Sequence, residues 1–486
     1  MTYDLVLKNA RLVDPANGLD RLSDLAIAGG KVARVAPEIG PTTAKRTWDL
    51  TGKVIAPALI DAHMHTTLGP GGEAAFAMLA RAGVATAVDF AGPPAQVLAL
   101  MAGHGSGITV ASLQVVRPAP DGNEHAFSSG PDTVIPTDDP DAPAIRHAVL
   151  RGLHTGAIGT KILGGHFPFT PEATERIIDE SVALGVYMAV HVGTTATGSN
   201  LAGLEEAIKM ATPIRRLHLC HINSALRGQI LPSRLEEAAR AMALLEQAGE
   251  AVISESFLTR WSPDPGLCLN GIPDSAIVRT SLRMGGYEPT EAGLERAIVE
   301  GFTVVIVPRR DENVAVGGAA GVRYWRETGT TAGIAFPISF ADVGLVCATQ
   351  KRRDGRFTVS AIASDSGQLP FNVTLDHGLT LVQFGALTLS ELIHKASYAP
   401  SRMLGLVEKG QLGEGADADI VVIDVERRRA DHLLVAGDPV MTNGLVVGRG
   451  GAFLTTEAGV PAVAAHGLPY RLLDLSRSLL YRGNPA

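Results

Sequence analysis

The sequence predicts an α/β protein: a (β/α)8 TIM-like barrel carrying a small β-sandwich domain built from both ends of the chain. Three observations support this. Strand-like runs alternate with helical stretches through the long middle of the sequence. Several of those runs are apolar at every position rather than at every second one, as in parallel strands covered on both faces. Short strands of two-residue period, broken by Gly and Pro, occur near both termini.

In chain order, residues 1–55 read as strands DLVLKNARLVD and DLAIAGGKVARVA and a segment ending at Lys53. The middle, 56–399, starts with VIAPALIDA before His63, then a helix in EAAFAMLARAG and the strand VATAVDF. A helix near 94–103 leads to ITVASLQVV, one near 140–153 to AIGTKIL, and helix 171–184 to VYMAVHV. Helix 201–211 leads to RRLHLCHI and helix 233–248 to AVISES, and RFTVSAIASD with helix 388–398 completes eight units. Residues from about 256 to 355 exceed what a simple barrel needs there and read as an insertion over its mouth, a candidate substrate lid. Strands ADADIVVIDVE and NGLVVGRGGAFL return the chain to the β-domain over 400–450, and 451–486 is left as a C-terminal tail.

The balance of 42 Lys and Arg against 50 Asp and Glu gives a net charge of −8, with no long basic run, so nucleic acid and anionic membranes are not expected partners. No apolar window reaches the roughly 18 residues of a spanning helix, and the N-terminus lacks a signal-peptide pattern. Cys220, Cys268 and Cys347 are odd in number and scattered, which fits a cytoplasmic protein without a disulfide framework.

The candidate chemistry lies at strand ends. His63 and His65, in DAHMH, are two apart on a strand and so share a face, where they can reach one metal ion. Lys161 in GTKIL, His191 in MAVHVG, His221 in LCHIN and Asp365 in IASDSG each fall at the C-terminal end of a predicted apolar strand, the face on which barrel enzymes place their sites. The steps from Lys161 to His191 and from His191 to His221 are both 30 residues, one βα unit each. A lysine inside an apolar strand is costly as a cation. An easily neutralised one can react with CO2 to form a carbamate able to bridge two metals. His218, offset by three from His221, reads as a core histidine. His104, His125, His147, His154, His377, His394, His432 and His466 lack strand-end context and are assigned to structure or surface.

The order H-x-H, Lys, His, His, Asp resembles the binuclear metal-dependent branch of the amidohydrolase superfamily, with hydantoinases and dihydroorotases as the nearest subtypes. APALIDAHMH, RAGVATAVDF, and SYAPSRMLGL followed by GQLGEGADADIVVID are similar to that family's surroundings of the site and of the return to the β-domain. The resemblance implies two divalent metal ions, zinc first, with manganese, cobalt or nickel as other candidates. His63, His65 and Asp365 would hold the more buried ion and His191 and His221 the exposed one, with carboxylated Lys161 and a hydroxide bridging them. Asp365 would move the proton from the attacking hydroxide to the leaving nitrogen. The implied reaction is hydrolysis of a C–N amide bond in a small molecule, either a cyclic amide (lactam, imide or hydantoin) or an N-acyl amino acid, by a homo-oligomer.

Two positions depart from the subtypes. Dihydroorotases carry an arginine shortly after H-x-H, where this chain has Thr66 and Thr67. Hydantoinases carry a tyrosine five residues after the bridging lysine; here that residue is His166, in GGHFPF, a candidate oxyanion donor. Arg279, Arg283, Tyr287, Arg309, Arg310 and Arg323 in the insertion are candidates to hold an anionic substrate. The alternatives are a mononuclear-metal deaminase and a non-catalytic hydantoinase-like interaction protein.

Overall fold

The structure is a computed structural model that describes residues 2–40, 44–90, 92–118 and 134–481. Parallel strands form two arcs. One joins Leu59–His65, Val84–Asp89 and Thr109–Ser112. The other runs from Gln114–Pro118 through Gly159–Leu163, Tyr187–His191, Leu217–Leu219 and Val252–Ser256 to Ala361–Ile362. The arcs meet twice. Thr109–Ser112 and Gln114–Pro118 are consecutive pieces of one segment, the third strand of the set. Ala361–Ile362 pairs with the seventh strand, while Ser366–Gly367, four residues on, pairs with the first. Helices between these strands, such as Gly72–Arg81, Pro171–Ala183 and Arg234–Ala248, bury one face each against them.

Both chain ends share a mixed sheet. Val54–Pro57 pairs in parallel with Leu5–Asp14 and antiparallel with Ile420–Asp424, so the N-terminal and C-terminal strands are hydrogen-bonded neighbours. Alternate residues Leu5, Leu7, Leu25, Ile27, Ile420 and Val422 fill one core on a face of this sheet.

The last strand of NGLVVGRGGAFL departs from the expectation. Phe453–Thr455 pairs with Thr109–Ser112 and with Tyr470–Leu472, so it extends a parallel arc rather than the terminal sheet. Gly451, φ 100°, permits this, because a Cβ there would lie 2.1 Å from the Ile108 carbonyl oxygen. Phe453–Thr455 and Tyr470–Leu472 therefore extend the sheet edge, with Phe453 and Leu454 buried.

The 256–355 stretch forms its own antiparallel sheet of Ser262–Pro265, Gly333–Phe336, Val304–Arg309 and Glu312–Val316. Trp325, Leu294 and Phe336 lie in its core. Its Ile306 and Ala335 pack with Leu68, Leu163 and Phe167, which come from loops and strand ends beside the histidines. Among the described residues, no helix is long and apolar enough to cross a membrane.

Candidate metal centre

The first and eighth strands are fastened to each other at the site by their backbones. The Asp365 N–H donates to the His63 carbonyl (2.9 Å), and the Ser364 N–H donates to buried Asp61 (3.0 Å). Asp61 also accepts from the His63 N–H, so one carboxylate holds both loops. This brings together residues 300 apart in sequence: His65 Nε2 lies 3.1 Å from Asp365 Oδ1. His63 Nε2 lies 3.3 Å from the same oxygen. Asp365 and His221 both adopt left-handed backbone conformations, φ 53° and 27°. For residues with a Cβ these are uncommon and concentrate at functional sites.

Lys161 lies mid-strand rather than at the strand end, paired in register with Ala189, whereas His191 pairs with Leu163. The lysine therefore starts two residues deeper and its four-carbon stem spans the difference. Its Nζ reaches 3.0 Å from His63 Nε2, beside the Phe90 ring. His191 and His221 approach edge to face, 4.5 Å between centroids, and His63 and His221 lie 4.9 Å apart. All six predicted ligands are thus in one cluster. His65, Lys161, His191, His221 and Asp365 line one pocket with His166, and His63 lies buried behind them.

Burial dominates the electrostatics. It depresses His65 and His221 to about 3 and drives His63 and His191 well below the ordinary imidazole range. The four rings are therefore neutral, with lone pairs available for a cation. Burial raises Asp365, opposed by His221 and Lys161. The buried Nδ1 atoms of His65 and His191 have no hydrogen-bond partner. His63, His65 and Asp365 each offer a ligand atom within 4.8 Å of the others. Neutral imidazoles, a carboxylate and unfilled ring nitrogens fit a divalent cation.

Glu255, on the seventh strand, is absent from the sequence reading. Its Oε1 lies 2.6 Å from His63 Nδ1, and its Oε2 accepts the His221 N–H at 2.5 Å. It thereby fixes the His63 ring so that Nε2 faces the site, and it secures the turn carrying His221. A glutamate inside the apolar run AVISES was the available signal, the same one that singled out Lys161. Glu255 also lies near Cys220 and His63 in a second group of possible ligand atoms within 4.8 Å. Burial holds the Cys220 thiol protonated. His218 is buried, with Nδ1 3.0 Å from the Tyr187 hydroxyl and Nε2 3.6 Å from Glu255.

His166 is at the pocket too. Its Nδ1 lies 3.0 Å from Ser275 Oγ and 3.3 Å from Asp264 Oδ1, both from the insertion, and its ring meets His191 at 4.8 Å. A Cβ on Gly165 would come 2.3 Å from His191 Nε2, so this loop passes over the histidine only as glycine. The insertion's basic candidates are elsewhere. Arg279 donates to the carbonyls of Pro273 and Asp274, and the Tyr287 hydroxyl donates to Glu300. Arg283, Arg309, Arg310 and Arg323 are exposed. Of the remaining histidines His125 is outside the described residues, and none of the others lines the pocket.

The Amidohydrolase family model matches residues 344–449. The dihydroorotase of Trichlorobacter lovleyi is 25% identical over 450 residues, covering 87% of this chain and 89% of its own. The zinc- and phosphonate-complexed N-acyl-D-glutamate deacylase of Bordetella bronchiseptica shares the fold, with a TM-score of 0.64 and 16% identity over 90% of this chain and 97% of that one. A D-hydantoinase structure matches with a TM-score of 0.58 and 18% identity, over 93% and 98% of the two chains. Residues 344–449 thus match the amidohydrolase family, and the chain is similar over most of its length to a dihydroorotase.

Proposed function

We propose that this protein hydrolyses the amide C–N bond of a small molecule, a cyclic amide or an N-acyl amino acid, at a two-metal centre. The ligands are His63, His65, His191, His221, Asp365 and Lys161, the lysine as its carbamate. The parallel strands close as a (β/α)8 barrel around them, with the terminal sheet as a second domain and the 256–355 insertion as the wall over the mouth. The observation that carries the reading is the convergence of four buried, neutral imidazoles on Asp365 and a buried lysine.

Two divalent ions, when bound, supply an acidified water and polarise the amide carbonyl. The chain's own groups do the rest. Asp365 takes the proton released as water attacks the carbonyl carbon and returns it to the departing nitrogen. Glu255 keeps His63 in one tautomer. His166, with Nδ1 facing Asp264 and Ser275, presents the other edge of its ring to the reacting carbonyl. Through a ring N–H it donates to the oxygen that becomes negative.

Metal analysis and a substrate screen test this together. Two ions per chain with turnover of lactams, imides, hydantoins or N-acyl amino acids are expected. One ion with ammonia release from an aminated ring would indicate a deaminase, and none a non-catalytic relative. Asp365→Asn should remain folded while turnover falls by about 10²–10⁴. Near-normal turnover would remove Asp365 from the chemistry.

A further inference from the structure

Arg227 is the charged pocket residue that the proposed reaction leaves without a task. It follows the 3-10 turn Ile222–Ala225 beyond the sixth strand and lines the same pocket as Lys161, His221 and Asp365. Only 7% of it is exposed. Its Nε and Nη1 are buried without any hydrogen-bond partner. Nη2 has Ser262 Oγ at 3.5 Å, the outer limit of a hydrogen bond. Asp264 and Asp365 act on it only at longer range, and burial lowers it no further than about 10, so it stays a cation at neutral pH.

A buried guanidinium with two unfilled nitrogens is costly. Buried polar groups in folded proteins are generally satisfied, and one that faces a ligand pocket is satisfied by the ligand. Water would fill the N–H groups without answering the charge. A planar carboxylate answers both, since its two oxygens accept from the guanidinium fork. A dianionic phosphate fits less well, because Asp264 and Asp365 share the pocket and would repel it. Among the described residues, the arginines of the insertion are tied to backbone or exposed, so Arg227 is the cation that can reach a substrate here.

We propose that Arg227 anchors a carboxylate on the substrate, so that the enzyme acts on amides bearing a free carboxylate in preference to neutral ones. N-acyl amino acids and carboxyalkyl-substituted cyclic amides belong to this class. The inference rests on the amidohydrolase reading and narrows it. Asp264, two residues from Ser262 on the same strand face, holds His166 at 3.3 Å. The anchor and the proposed oxyanion donor are thus supported by neighbouring positions of one insertion strand.

The test uses the metal-loaded full chain and matched pairs: N-acetyl amino acids with their carboxamides, and carboxyethyl-hydantoin with its amide. Binding of the non-hydrolysable N-ethyl amino acid and its carboxamide is measured alongside by calorimetry. Wild type should favour the carboxylate in kcat/KM and in affinity by on the order of 10–10². In Arg227→Gln that ratio should collapse to near one, mainly through KM, while Arg227→Lys keeps part of it and shows that the site tolerates substitution. Equal use of both members by wild type, or a preference that survives Arg227→Gln, overturns the anchor and leaves the hydrolase reading intact. A carboxylate preference in binding, lost in Arg227→Gln but without hydrolysis of any pair, supports the anchor and overturns the hydrolase reading instead.

Discussion

The pocket around Lys161 and the helix end around Lys395 bury the same side chain to the same depth, 1% and 0% exposed, and use it in opposite ways. Lys395 Nζ donates to the carbonyls of Cys347, Ala348 and Val359 at 2.9–3.2 Å. Two of those belong to the last turn of helix Ala341–Thr349, where carbonyls lack intrahelical partners and the dipole favours a cation. Burial pulls its ammonium down to about 7, while three acceptors engage its three hydrogens. Lys161 has a single hydrogen-bond partner, an imidazole nitrogen, and no carboxylate or carbonyl acceptor among the described residues. A third buried lysine, Lys409, sides with Lys395, paired to Asp417 and Asp419. Burial alone does not mark a reactive lysine. What sets Lys161 apart, in the proposed reading, is an incomplete set of acceptors beside neutral histidines.

The largest expected effect divides the two lysines. Lys161→Ala should lose most bound metal and turnover of about 10³ or more, the scale of several kcal/mol of lost charge stabilisation. Short carboxylates should restore part of it by standing in for the carbamate. Elemental analysis showing full occupancy in this variant would place Lys161 with Lys395 as a packing residue.

His166 extends the same contrast along the pocket wall. His166→Ala should keep its metals while kcat falls by about 10²–10³, with KM changing less. Steady-state kinetics on a true substrate decides this; a kcat within a few-fold of wild type means that the Asp264–His166 pair only packs the insertion.

Lys395→Met should do the reverse of Lys161→Ala. Metal content and kcat should hold, while three carbonyls lose their donor and stability falls by about 2–4 kcal/mol. Chemical denaturation of the metal-loaded protein measures it. A variant as stable as wild type would show that the methionine's packing offsets the lost hydrogen bonds.

The smallest effect belongs to Glu255. Glu255→Gln keeps the shape but weakens the hold on His63 and His221, so metal affinity should fall about 10–100-fold, read by competition with a chelator. Unchanged affinity would confine Glu255 to the turn it shares with the His221 N–H.

Local pattern explains what was readable in the chain. A polar residue that interrupts an apolar run reports its own position on a strand, and the two-residue period reports its face. His63, His65, Lys161, His191, His221 and Asp365 stand out in this way, and the structure brings them into one cluster. Glu255 carried the same signal and was passed over, because a carboxylate near a strand end also reads as the start of a loop. Arg227 and Asp264 carried none, since they lie on a turn and on an insertion strand whose neighbours cannot be inferred from spacing. The placement of Phe453–Thr455 beside Thr109–Ser112 was equally hidden. Strand pairing and pocket walls depend on contacts between residues tens to hundreds apart in sequence. No local period encodes those contacts, and only the packed fold decides which buried charges are answered and which still face an unfilled pocket.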